Sequence, residues 1–253
     1  LIVANAADPM VREVTRSARA PVTYFALQGE DTGGLPAHWL AAPAQVTSEA
    51  TTFDLFAGGV AAGRLALRIP GRHNLKNALA ALAATLEGFG AKAPGLLAAL
   101  ADFEGVRRRQ ELLGTPSGIH VYDDFAHHPT AVAETLAALR ARHPTGRLIV
   151  VFEPKSATAC RRVHQAEYPR AFAAADAVLL APLGRANLPA DVALDLEALA
   201  SDVRALGRHA ERAATRDEIP SRLAALARPG DVVALLSNGS FADVARRVLE
   251  QLA

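Results

Sequence analysis

One cysteine, Cys160, stands in the 253 residues, so no intrachain disulfide can form, and a lone thiol suits a reducing cytoplasm. Charge of either sign is in no excess. Lys and Arg number 27 against 26 Asp and Glu, a net +1, which argues against a nucleic-acid surface. The one tight basic run, Arg107-Arg108-Arg109, is also what a solvated helix end or loop would carry. No apolar run reaches the ~18 residues of a membrane span. No signal peptide is visible either. The chain opens Leu1-Ile2-Val3-Ala4-Asn5 without methionine, inside what reads as a strand, and is expected to be a piece of a longer protein. What it has in quantity is hydrophobic residues, 51%, enough to bury a sizeable core in one large domain or two smaller ones.

Two grammars follow one another along the chain. The first part predicts a strand at 1–4, a helix at 11–18, a strand at 22–26 and β-like runs at 44–47, 51–56 and 64–69, with Gly58-Gly59 as the hairpin between the last two. Alanine- and leucine-rich stretches then predict helices over 74–89 and 93–102. Beyond Phe103 strands alternate with helices: strands at 119–123, 147–152, 177–180, 208–211 and 232–236, helices at 129–142, 160–173, 196–206, 216–227 and 241–252. Such alternation means βαβ units and a mostly parallel sheet. The domain boundary is placed near 103–106, giving domains 1–104 and 105–253.

Five stretches are candidates for chemistry. In Gly71-Arg72-His73-Asn74-Leu75-Lys76-Asn77-Ala78, Asn74 suits a helix cap. Asn77 shares its face, and an amide's donor and acceptor suit an adenine edge on which His73 stacks. A capped helix with a polar first turn explains the same residues. Phe103 to Glu111 supplies arginines at the predicted junction, where a guanidinium fork suits a phosphate. In Val121 to Pro129 two carboxylates, Asp123 and Asp124, end a buried-looking strand and His127-His128 lead into a helix. Ligands of open α/β sheets bind at that strand end, and a carboxylate there accepts ribose hydroxyls. The plainer alternative has Asp124 capping the loop and His128 packing. A metal at His127-His128 lacks further ligands at useful spacing, so none is expected. Phe152-Glu153-Pro154-Lys155-Ser156 and Ser237-Asn238-Gly239-Ser240 follow strand ends on the same edge; the second also suits a turn and helix cap.

Together these stretches resemble the Mur ligase family. Gly71-x-His73-Asn74-x-x-Asn77-Ala78 is similar to its adenine-binding segment, Gly105-Val106-x-x-Arg109-x-Glu111 to the start of its C-terminal domain, and Asp123 to Thr130 to the Asp-Asp-Tyr-Ala-His-His-Pro motif of members acting on UDP-N-acetylmuramate. The resemblance implies an α/β protein: part of a central domain followed by a Rossmann-like C-terminal domain. It implies ATP as the cofactor, with His73, Asn74 and Asn77 on adenine, Asp124 and Asp123 on ribose, and Arg109 and His127 toward the triphosphate as catalytic residues. It implies a carboxylate phosphorylated by ATP and an amine attacking the acyl phosphate, with charge neutralised by lysine, arginine and Mg²⁺. No Gly-x-x-x-x-Gly-Lys-Ser/Thr occurs, so no backbone cradle for the phosphates is expected here, and the Mg²⁺ ligands are expected mainly upstream of Leu1. These 253 residues alone are therefore expected to be inactive.

Within the family, Phe152-Glu153-Pro154-Lys155-Ser156-Ala157-Thr158 resembles the Phe-Glu-Pro-Arg-Ser-Asn-Thr of the ligase that joins L-alanyl-γ-D-glutamyl-meso-diaminopimelate, the murein tripeptide, to UDP-N-acetylmuramate in recycling. Ser237-Asn238-Gly239-Ser240-Phe241 resembles its Ser-Asn-Gly-Gly-Phe. Glu153, Lys155, Ser156, Ser237 and Asn238 would then bind substrate. Ala157 and Lys155 depart from that pattern, the lysine losing bidentate geometry. The ligase that adds L-alanine is the alternative; folylpolyglutamate and cyanophycin synthetases share the architecture, and a non-catalytic α/β binding module is the alternative from another class.

Overall fold

The computed structural model describes residues 1–47, 50–69, 71–185 and 187–253. The chain divides into two units, Leu1–Gly105 and Val106–Ala253, each with its own sheet. Among the described residues no helix is long and apolar enough to cross a membrane.

In the first unit β1 (Ile2–Asn5), β2 (Val22–Leu27), β3 (Trp39–Val46), β4 (Thr51–Ala57) and β5 (Val60–Leu67) lie side by side in chain order. β1, β2 and β3 are parallel, and β4 and β5 return antiparallel. Gly58 and Gly59, at φ +56° and +81°, make the two-residue turn between β4 and β5, where left-handed residues match the strand twist. β3 begins five residues before the predicted run. Pro43 sits where the register shifts between Pro43 and Gln45, an irregularity that tolerates a proline. α1 (Pro9–Thr15) is capped by Asp8, whose Oδ1 accepts from the N–H of Met10 and Val11. α2 (Arg72–Ala83) and α3 (Ala93–Ala101) follow the sheet. Leu75, Leu79 and Leu82, spaced three and four apart, seat α2 on a core with Phe53, Leu55 and Leu67. Two expectations need correction here. The cap of α2 is Gly71, at φ +115° and with no side-chain bond, so Asn74 lies inside the first turn and is not the cap. The regular helix also stops at Ala83, and 84–88 form a wider, π-helical turn.

The second unit is built from β6 (Glu111–Gly114), β7 (His120–Asp124), α4 (Pro129–Arg142), β8 (Leu148–Glu153), α5 (Tyr168–Ala171), β9 (Ala177–Leu180), α6 (Leu196–Ala205), β10 (His209–Arg212), α7 (Ile219–Leu226), β11 (Val232–Ser237) and α8 (Ala242–Leu252). The sheet order is β10-β9-β8-β11-β7-β6, parallel except for β6. β8 and β11 are buried along their whole length. Leu148, Val150 and Phe152 enter the core on one face, Ile149 and Val151 the core on the other, the two-sided burial that parallel sheets require.

The predicted helix over 160–173 is absent. A 3₁₀ turn at Arg162–His164 and the single-turn α5 replace it. Cys160 O accepts from Leu194 N–H at 2.8 Å and Arg162 N–H donates to Val192 O at 2.9 Å, so this backbone is engaged sideways. Pro169 further removes a donor that a through-running helix would need. β6, a short half-exposed edge strand, was not foreseen.

Candidate functional site

β11 lies between β7 and β8, with Leu236 opposite Asp124 and Ser237 opposite Glu153. Three neighbouring strands thus end together at their carboxyl edge, where ligands of open α/β sheets bind. Asp123, Asp124, Glu153 and Ser237 are all buried there, and buried polar groups must find partners.

Glu153 and Ser237 find each other, Asp123 finds Arg108, and Asp124 finds the loops on either side. Arg108, held at φ +60°, donates from Nε to Asp123 Oδ2 at 3.2 Å and from a terminal nitrogen to Ser237 O at 2.5 Å. Burial pushes the Asp123 carboxyl above its ordinary value, and Arg108 pulls it part of the way back. Asp123 Oδ1 is buried with no hydrogen-bond partner. Asp124 spends both oxygens. Oδ2 accepts from Gln110 N–H at 2.8 Å, and Oδ1 accepts from Ala126 N–H at 2.7 Å and from the Thr135 hydroxyl at 3.3 Å. It therefore ties the loop before β6 to the loop after β7. The Ser237 hydroxyl donates to Glu153 Oε2 and accepts from Gly239 N–H at 3.0 Å. Glu153 Oε1 faces Arg216 Nε at 3.3 Å, but the two are not aligned as a hydrogen bond. Arg216 donates instead to Ser240 O and Asp243 and lies over the Phe241 ring.

Beside this network runs Lys155. A Cβ added at Gly184 would meet its Cγ at 2.6 Å and its Cβ at 2.8 Å, and one at Gly239 its Cδ at 2.0 Å, so the stem runs in a slot between two glycines and the Gly184 wall leaves no room for a larger residue. Its ammonium has no ion pair among the described residues. Ser156 N–H donates to Asn238 Oδ1 at 3.1 Å, and Ser156 Oγ accepts from Ala159 N–H, so both serve the loops beside the slot.

The remaining candidates are placed differently. Arg109 is exposed, its guanidinium 5.5 Å from the Phe125 ring centroid, while Arg108 enters the network. His127 Nδ1 lies 2.9 Å from Phe125 O, and the Tyr168 hydroxyl donates to His127 O. His128 does not pack inside, as the plainer alternative had it. It is exposed, with Nε2 3.1 Å from His164 Nε2. Burial, then the neighbouring His164 and His127, hold its pKa below the ordinary value. Ser240 does not cap α8; Phe241 holds that position without a side-chain bond. No group of three or more metal-ligating side chains occurs among the described residues. Arg108 and Arg216 escaped sequence reasoning. Nothing in Arg107-Arg108-Arg109 distinguishes the arginine that turns inward, and only the fold brings Arg216 to Glu153.

In the first unit α2 presents an exposed Asn77, with His73 and Asn74 half-buried. The two nearby cations are already engaged. Lys76 and Arg72 lie 2.8 and 3.1 Å from Glu30 Oε1. Burial raises the Glu30 carboxyl, but Lys76, the Leu27 N–H and Arg72 outweigh it and hold its pKa below the usual value.

Comparison with known proteins gives the family. Residues 1–85 match the Mur ligase middle domain and residues 108–239 the Mur ligase, glutamate ligase domain. A UDP-N-acetylmuramate–L-alanine ligase from Roseiflexus sp. is 36% identical over 229 residues, covering 86% of this chain and 47% of the relative. An Escherichia coli UDP-N-acetylmuramate–L-alanyl-γ-D-glutamyl-meso-2,6-diaminoheptandioate ligase is 34% identical over 221 residues, covering 87% and 46%. The crystal structure of a murein peptide ligase from Psychrobacter arcticus superposes with a TM-score of 0.70 at 26% identity, over 99% of this chain and 51% of that one. The chain spans about half the length of the curated relatives it matches.

Proposed function

Because the chain belongs to the Mur ligase family, we propose that the whole protein is an ATP-dependent ligase joining the murein tripeptide to UDP-N-acetylmuramate. The observation that carries this reading is the Lys155 slot, an ammonium with no ion pair among the described residues, beside the Glu153–Ser237 pair at the carboxyl edge. The tripeptide brings several carboxylates where L-alanine brings one, which complements the Lys155 ammonium.

ATP supplies one thing, phosphorylation of the muramate carboxylate. The chain's own residues bind and orient. Asn77, with His73 and Asn74, takes the adenine edge from the exposed face of α2. Asp123 Oδ1, buried and without a partner, fits a ribose hydroxyl, while Asp124 holds the loops on either side in place. Arg109 and His127 lie toward the phosphates, and Arg109, outside the buried network, is free to meet an anion. No residue here is assigned to Mg²⁺.

The L-alanine ligase is a second reading, favoured by the 36% identity to the Roseiflexus enzyme. The two separate when the whole protein is given ATP, UDP-N-acetylmuramate and each amine in turn. Tripeptide product is expected; efficient ligation of L-alanine with no tripeptide product would overturn the assignment. The 253 residues alone, which contain no phosphate-cradling loop, are expected to release no phosphate from ATP.

A further inference from the structure

The carboxyl edge of the second sheet extends past the Glu153–Ser237 pair. β9 ends at Leu180 and β10 at Arg212, paired residue to residue, and the chain beyond them lines an open pocket of 400 Å³. Ligand pockets begin at about this size. The floor is apolar, with Leu183, Leu194 and Leu196. Three charged side chains line it, and two of them are spent on each other and on the backbone. Arg162 donates from Nε to Ala193 O at 3.1 Å and lies 3.5 Å from Asp195 Oδ2, while Asp195 Oδ1 caps α6 through the N–H of Glu197 and Ala198. Arg212 is exposed and has no side-chain hydrogen bond or ion pair among the described residues. The pocket therefore offers one uncompensated guanidinium above an apolar floor. That chemistry suits a carboxylate carried on an aliphatic chain.

Two other cavities do not share it. In one of 380 Å³, Arg140 and Arg147 are matched by Asp176 and Asp231, Arg208 donates to Ala173 O, and no leucine lines the floor; in one of 350 Å³, Arg247 is matched by Asp217.

The position of the pocket extends the argument. Phe152 pairs with Leu180, and Leu180 with Arg212. Two inter-strand steps of about 4.8 Å thus separate the exits of β8 and β10, roughly 10 Å in all. Between them runs the loop whose Gly184 covers the Lys155 stem and whose Leu183 lines the pocket. An extended tripeptide spans about 10 Å at ~3.4 Å per residue.

We propose that this pocket is a second anchoring point for the amine substrate. Lys155 receives one carboxylate of an acidic peptide, and Arg212 receives the carboxylate at its far end over the floor of Leu183, Leu194 and Leu196. The assignment rests on the tripeptide reading and adds to it the group that measures peptide length.

The test uses the whole protein with ATP and UDP-N-acetylmuramate. Ligation rates are measured with L-alanine, with L-alanyl-γ-D-glutamate and with the full tripeptide, for the unsubstituted enzyme, Arg212→Gln and Arg212→Lys. Arg212→Gln is expected to raise KM for the tripeptide about tenfold at unchanged kcat, to leave the dipeptide within about twofold, and to be partly rescued by Arg212→Lys, since one charged hydrogen bond at a partly exposed site is lost. A tripeptide KM within twofold in Arg212→Gln, or an equal loss for the dipeptide, overturns the Arg212 assignment and leaves the tripeptide reading standing. An unsubstituted enzyme that ligates L-alanine and no tripeptide overturns both.

Discussion

The α2 face of the first unit and the carboxyl edge of the second both carry motifs visible in the sequence, yet they use them in opposite ways. On α2 the motif amide of Asn77 is exposed, and the flanking cations Arg72 and Lys76 are drawn aside by Glu30. At the sheet edge the motif side chains are buried and mostly engaged within the protein: Asp123 with Arg108, Asp124 with three partners, Glu153 with Ser237. A motif residue on an exposed helix face is free to act on a ligand and contributes little to the fold. One at a buried strand end must satisfy its neighbours first, because unpaired polar groups are costly there. Few groups at the edge remain open, chiefly Lys155 and Asp123 Oδ1.

The contrast breaks first at Asp124. Asp124→Ala strips the acceptor from the N–H of Gln110 and Ala126 and from the Thr135 hydroxyl. At about 1–3 kcal/mol for each buried group left unsatisfied, and with partial relaxation, the loss should be about 3–4 kcal/mol. Asp124→Asn keeps one acceptor oxygen but turns an amide N–H toward a backbone N–H, and about half that loss is expected. Urea unfolding midpoints at constant m read both. A loss below 1 kcal/mol for Asp124→Ala would mean that the loops stand without it.

Much of this was legible beforehand, for identifiable reasons. The apolar runs of β8 and β11, buried on both faces, announce themselves without any periodicity, and Pro129 marks the start of α4. The Gly58-Gly59 turn follows from backbone freedom alone. Where tertiary contacts decide, the sequence was silent or misleading. The 160–173 stretch reads as helix, but its backbone bonds to the 192–194 segment win. β6 is too short and too exposed to show a pattern. Which arginine of three turns inward depends on left-handed φ at Arg108 and Gln110, and residue type does not encode it. Asn74 looked like a cap because nothing in the sequence reveals that Gly71 already starts the helix.

A second test sits at the amino-terminal side of the same sheet, far from any proposed ligand. His143, at the end of α4, is pushed down to about 4 by burial first, then by His120 and Arg142, and its Nε2 lies 2.9 Å from the Tyr122 hydroxyl. Above pH 6.5 the ring is neutral whether the chain is folded or not, and it exerts no pH effect. As pH falls from 6.5 toward 4, the unfolded chain takes up a proton that the folded one refuses, so stability is lost across that window. The ring is partly solvated, so the loss should be about 1 kcal/mol, well below what the shift would give without screening. His143→Gln should flatten the fall in Tm between pH 7 and 4.5. Equal slopes in both proteins would assign the acid sensitivity to other groups.

The smallest effect on the fold is expected at Asn77, and it sharpens the comparison from the other side. The residue is exposed in the interior of α2, where alanine is the better helix former, so Asn77→Ala should leave stability within about 0.5 kcal/mol and tend to raise it. If its amide meets the adenine edge, the same substitution in the whole protein should weaken ATP use by roughly 1–3 kcal/mol, the cost of one lost buried hydrogen-bonding partner. Asn77→Asp distinguishes recognition from bulk: it keeps the size and the acceptor but removes the donor and adds a charge, so its loss should match or exceed that of alanine. The KM for ATP and the urea midpoint, measured on the same three proteins, give the answer. An unchanged KM for ATP in both variants would return Asn77 to the role of a polar residue on a solvated helix face.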